Sequence, residues 1–204
     1  MKMTARSMTM AALMFTSAAH AHHLMGNDAP TTLLQGFLSG LGHPVIGVDH
    51  LAFIIAAGVL AARYPRGLLL ALLFVAGSTA GAALHVGGLD LPAAEWWIAA
   101  TLLLIGFTMV RRGQAFTPAV AAFYAIAGYA HGYALAESIV GAETTPLAGY
   151  FAGLIVIQAV LAGAAYAGGR WFARYRPGLP VTPATGVLAG IAGLTVLTLV
   201  AWGA

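Results

Sequence analysis

The sequence predicts an all-α protein, a polytopic membrane helix bundle of about six transmembrane helices behind a cleavable N-terminal signal peptide. Three observations carry this. Hydrophobic residues make up 60% of the 204-residue chain and charged residues only 7%, whereas soluble domains run at about 45–50% and about 25%. Long apolar runs alternate with short connections, and the arginines fall in every second connection. No long polar stretch remains for a soluble partner domain, so residues 22–204 form one membrane domain.

Lys2 and Arg6 precede an apolar run from Met8 to Ala18, and Ala19-His20-Ala21 supplies a small-x-small cleavage site. The run is shorter than the about 20 apolar residues a span needs, so residues 1–21 read as a signal peptide and His22-His23 as the new N-terminus. Leu33 to Gly42 is also too short to span and reads as an interfacial or re-entrant helix. Spans then lie near 44–62, 67–86, 92–110, 118–137, 147–168 and 183–202. Several begin at a proline, where the missing amide hydrogen costs nothing because first-turn donors have no helical partner. Arg63/Arg66, Arg111/Arg112 and Arg170/Arg174/Arg176 follow the first, third and fifth spans, which places those connections in the cytoplasm of a bacterial inner membrane and both mature termini in the periplasm. Glycines four apart (Gly36/Gly40, Gly77/Gly81, Gly128/Gly132, Gly149/Gly153, Gly186/Gly190) let helix backbones approach closely.

The +3 charge sits in those arginine clusters and forms no basic stripe, which excludes nucleic acid as a partner. With no cysteine, any metal must be held by N and O donors. The most informative segment is His43-Pro-Val-Ile-Gly-Val-Asp49-His50, at the outer start of the first span. On a helix of about 3.6 residues per turn His43 and His50 share a face with Gly47 between them, and Asp49 turns toward a neighbouring helix as a ligand or to orient a histidine ring. Ionisable groups at membrane depth should face the bundle interior. At a rise of about 1.5 Å per residue, His50 lies roughly 10 Å in from the outer end, the same depth as His131 in the fourth span. His43, His85, Asp90, Glu95 and Glu137 lie nearer the outer surface, so the donors form a gradient toward a shared inner site. Glu95 beside Trp96-Trp97 reads as an interfacial residue and Glu143 as plain loop. Imidazole with carboxylate suits Ni²⁺, Co²⁺ or Zn²⁺, and affinity order does not choose among them. His22 and His23 at a free amino terminus add a second candidate capture site.

The stretch L-S-G-L-G-H-P-V-I-G-V-D-H-L-A-F, Leu38 to Phe53, resembles the HPxxGxDH signature of the HupE/UreJ family of nickel and cobalt permeases. The resemblance covers nearly the whole mature chain. In the fourth span many members read HGxAHGxE, whereas Ala127 and Ala134 stand here in place of the outer His and the Glu. His131 matches, and the carboxylate is displaced to Glu137. The resemblance implies a permease that takes Ni²⁺ or Co²⁺ from periplasm to cytoplasm along His43, Asp49, His50, His131, Glu137 and His85, with the metal as cargo and no permanently bound cofactor. Compatible partners are the bilayer, further copies of the chain, and a downstream metallochaperone or metalloenzyme maturation system. Two other classes fit the donor set: an intramembrane zinc hydrolase with Glu137 as base, and a non-transporting metal-binding assembly subunit.

Overall fold

The computed structural model describes residues 30–111 and 117–203, which form α-helices joined by short connections, with no strand among the described residues. The helices are α1 (Leu33–Ile46), α2 (Val48–Ala61), α3 (Gly67–Val86), α4 (Ala94–Val110), α5 (Pro118–Leu135), α6 (Thr144–Tyr175) and α7 (Val181–Ala201); a 3-10 turn, Glu137–Ile139, follows α5. The expected signal peptide, His22, His23 and Arg112 lie outside the described residues.

The first span departs from expectation. Helix α1 starts at a capping box, in which the Thr32 hydroxyl accepts from Gln35 N–H and the Gln35 side chain accepts from Thr32 N–H. It then runs through His43 and Pro44 before ending, so the 33–42 segment is not a separate short helix. The break falls at Gly47, whose extended ψ of 98° ends α1 and opens α2 with a bend of 79°. His43 and His50 therefore sit on two different helices, and the single shared face predicted for them does not exist. The fourth span also ends earlier than predicted, at Leu135, which leaves Glu137 in the 3-10 turn.

Helices α3, α6 and α7 are long and apolar enough to cross a membrane, and the bent α1–α2 pair makes a fourth if taken as one span. The protein is thus a membrane protein with three to four candidate spans by length and apolarity among the described residues, where the sequence reading expects six. Helix α4 falls short at 17 residues. Helix α5 carries Tyr124, Tyr129, His131 and Tyr133 among its 18 residues, which lower its apolarity because it lies inside the bundle and answers to other helices rather than to lipid.

Glycine stripes set the packing. Gly36 and Gly40 of α1 lie against the backbones of Pro146 and Tyr150, while Gly149 and Gly153 of α6 lie against Leu33 and Phe37, so the two helices run parallel and interlock. Gly77 and Gly81 meet Ala125 and Tyr129, and Gly128 and Gly132 meet Phe74 and Ser78, which interlocks α3 with α5 in the same way. Gly106 against Gly186 pairs α4 with α7. The core between these pairs is lined by Phe53, Ile54, Phe74, Leu102, Ile105 and Tyr124, all fully buried.

At Gly81 a Cβ would fall under 3.0 Å from the Tyr129 backbone, whereas at Gly163 it would meet nothing within 4 Å. Overpacking of that kind costs about 1–3 kcal/mol, and an open helical glycine gains up to about 1 kcal/mol on becoming alanine. Thermal unfolding in detergent should therefore place Gly81→Ala well below the wild type and Gly163→Ala at or above it.

Candidate metal-binding site

The donors gather at one end of the bundle because of how the helices begin and end there. The C-termini of α1, α3 and α5 and the N-termini of α2, α4 and α6 meet at this end, and the connections that carry Arg63, Arg66 and Arg111 lie at the other. At that opposite end the Arg63 guanidinium donates to the Arg111 carbonyl at 3.2 Å, closing the C-terminus of α4.

The innermost donors are His50, in the first turn of α2, and His131, four residues before the end of α5. Their Nδ1 atoms stand 2.9 Å apart, so the two rings meet across the bundle. His131 is fully buried, with Thr101 Oγ 3.1 Å from its Nε2. Thr101 Oγ also lies 2.9 Å from the Trp97 and Ile98 carbonyls. When its hydrogen goes to either carbonyl, its oxygen accepts from His131 Nε2–H, and His131 Nδ1 is then the acceptor for His50 Nδ1–H. The Phe53 ring packs 4.3 Å from the His131 ring, and Phe53 stacks on Phe74 at 5.3 Å, closing the site on its inward side.

Gly47 makes this approach possible, since a Cβ there would lie 2.8 Å from the His50 ring and 3.3 Å from Asp49 Oδ1. Asp49 stands in the first turn of α2, where the helix dipole favours a carboxylate by about 0.3–1 kcal/mol. Its Oδ2 is 4.0 Å from His50 Nε2, so it places a negative charge beside the imidazole pair and turns back on its own helix rather than to a neighbour.

A second pair lies nearer the surface. His85 in the last turn of α3 meets Glu137 with Nε2 and Oε2 at 2.9 Å, under the Tyr133 ring at a centroid distance of 3.8 Å. Tyr133 donates to Asp90 at 3.0 Å. His43 Nδ1 lies 3.2 Å from Ser39 Oγ and 3.4 Å from Ser138 Oγ, so the 3-10 turn stands between His85 and His43. The expected gradient toward one shared site is thus resolved into two His-based pairs. Among the described residues no three His, Asp or Glu side chains stand close enough together to hold one ion. Glu95 is exposed at the start of α4.

The reading from sequence missed Thr101, Ser39 and Ser138, whose hydroxyls set the histidine rings. Thr101 was findable as a hydroxyl within an otherwise apolar span; Ser39 and Ser138 take their roles from the α1 extension and the 3-10 turn, which periodicity does not reveal.

The HupE/UreJ protein family model matches residues 10–196 of the chain. "Protein HupE" of Rhizobium leguminosarum bv. viciae is 30% identical over 166 residues, spanning 79% of this chain and 81% of the relative. No solved structure matches the chain. Proteins of this family are transporters or accessory proteins rather than enzymes, which sets the hydrolase alternative aside. By the extent of both matches, the chain belongs to the HupE/UreJ family.

Proposed function

We propose that the protein is a permease that carries a divalent transition-metal ion, Ni²⁺ or Co²⁺, from the periplasm to the cytoplasm. The observation that supports this most is the His50–His131 contact: two imidazoles from separate helices share one proton inside a membrane bundle. An arriving ion takes the place of that proton. With metal–nitrogen bonds of about 2.0–2.1 Å, a separation of 2.9 Å subtends roughly 90° at the metal. Right angles belong to square-planar and octahedral ions more than to tetrahedral ones.

In this reading the broken α1–α2 helix is one crossing and α3 to α7 are five more, with the arginine connections cytoplasmic and both mature termini periplasmic. At 17 and 18 residues, α4 and α5 reach about 26 Å, within a few Å of the about 30 Å core. The break frees carbonyls at the C-terminus of α1, beside the imidazoles, as discontinuous helices do in other transporters. The ion enters past His85–Glu137 and His43, loses part of its hydration, reaches His50–His131, and passes inward when the Phe53–Phe74 stack parts. His22 and His23 extend the path outward as a capture site. A membrane potential of about 100 mV favours entry of a divalent ion by about 4.6 kcal/mol.

Uptake of labelled Ni²⁺ and Co²⁺ into proteoliposomes tests the reading. His50→Ala and His131→Ala should each cut saturable flux by at least about tenfold, since each removes one of two imidazole ligands, while Glu143→Gln should leave it unchanged. Metal binding without flux in the wild type would point instead to an accessory, non-transporting protein. Because imidazole must be neutral to ligate, flux should fall as the pH is lowered through the histidine range; flux unchanged down to about pH 5 would count against histidine ligands.

A further inference from the structure

The arginine end of the bundle carries chemistry that neither histidine pair uses. Arg63, Arg66, Arg111, Arg170, Arg174 and Arg176 stand there, while Asp49, Asp90, Glu95, Glu137 and Glu143 all stand at the other end. Among the described residues no arginine pairs with a carboxylate; the ion pairs are those of His50 and His85. Arg63 is occupied with the carbonyls of Met109 and Arg111. For Arg170 and Arg174 the counter-charge comes from outside the chain.

Helix α6 brings these two to the membrane surface. It is 32 residues long, about 48 Å at about 1.5 Å per residue, whereas the hydrocarbon core measures about 30 Å and the bilayer with its headgroups about 40–45 Å. Residues 144–169 carry no charge and the first charge is Arg170, so the last two turns stand among the headgroups. Arg170 and Arg174, four apart, share one flank of the helix. Trp171 and Tyr175 share the next, with ring centroids 5.7 Å apart. The Arg174 guanidinium lies 5.4 Å from the Tyr175 ring centroid, which limits its swing. With Ala62 at the end of α2, these four side chains border a recess of about 500 Å³, within the range of about 300–1,000 Å³ usual for ligand clefts. Gly169 lets α2 come this close, since a Cβ there would lie 2.8 Å from that of Ala62.

The recess selects its occupant by charge and by what lies beside it. A guanidinium presents N–H donors in a planar fork that matches a phosphate, and tryptophan and tyrosine suit the boundary between headgroup and acyl chain. Toward the core the Trp171 face continues as Val160, Ala164 and Ala167, all exposed. That apolar flank offers nothing to a free phosphate and accommodates a hydrocarbon tail. We propose that Arg170 and Arg174 bind the phosphate of an anionic phospholipid, with the headgroup in the recess and an acyl chain along α6. The site requires a membrane protein but not a metal path, so it stands apart from the permease reading.

The test is lipid retention by the detergent-solubilised full chain, counted by native mass spectrometry after titration with phosphatidylglycerol or phosphatidylcholine. The wild type should retain phosphatidylglycerol in preference to phosphatidylcholine. Each arginine facing an anionic headgroup is worth about a factor of five, so Arg170→Gln/Arg174→Gln should lower phosphatidylglycerol retention at least about tenfold. Arg66→Gln/Arg176→Gln, which removes the same charge outside the recess, should lower it less than about threefold. Equal losses in the two double variants, or equal retention of the two lipids by the wild type, overturn the site and leave a diffuse attraction to the arginine end. Displacement of the bound lipid by glycerol phosphate at matched concentration assigns the recess to a free phosphate and overturns the lipid. If Arg170→Gln/Arg174→Gln does not fold, Arg174→Gln alone decides: a loss of about fivefold supports the site, and unchanged retention overturns it.

Discussion

Two imidazoles in contact inside a membrane bundle are the constraint from which most of this architecture follows. Lipid cannot solvate them, so their polar atoms must be met by protein groups, and burial without partners would cost several kcal/mol. That requirement draws α2, α4 and α5 together around His50, Thr101 and His131. It also explains the glycine at position 47, where a side chain would collide with the His50 ring. The interlocked glycines of α3 with α5 and of α1 with α6 then hold the contributing helices at the close spacing the contact demands.

The molecule divides its chemistry by end. Histidines, carboxylates and hydroxyls gather where α1, α3 and α5 finish, while the arginines stand at the opposite end. In the proposed reading the first end receives the cation and the second sets the orientation. Between them the interior is aromatic and aliphatic, with Phe53 stacked on Phe74 and Tyr124 donating to the Ala57 carbonyl. Ser78 and Gln158 interrupt it.

Much of this was legible in the sequence because hydropathy and arginine spacing report directly on the bilayer. The matching depths of His50 and His131 followed from helical rise alone, and their contact agrees with it. The first span was misread for a physical reason: Pro44 looked like a helix start, yet it stands two residues before the end of α1, where it forgoes one amide hydrogen bond and the helix soon stops. Gly47, read as leaving one face open, is instead the hinge. Helix α5 looked like an ordinary span, but its tyrosines and histidine are an interior helix's pattern. The pairing of His85 with Glu137 depends on a 3-10 turn that no apolar period encodes.

The central claim is that His50 and His131 together ligate the transported ion, and X-ray absorption of the nickel-loaded protein addresses it most directly. The account predicts imidazole scattering from two rings in the wild type, reduced by one ring in His131→Ala. An all-oxygen shell, or a spectrum that His131→Ala leaves unchanged, would contradict it.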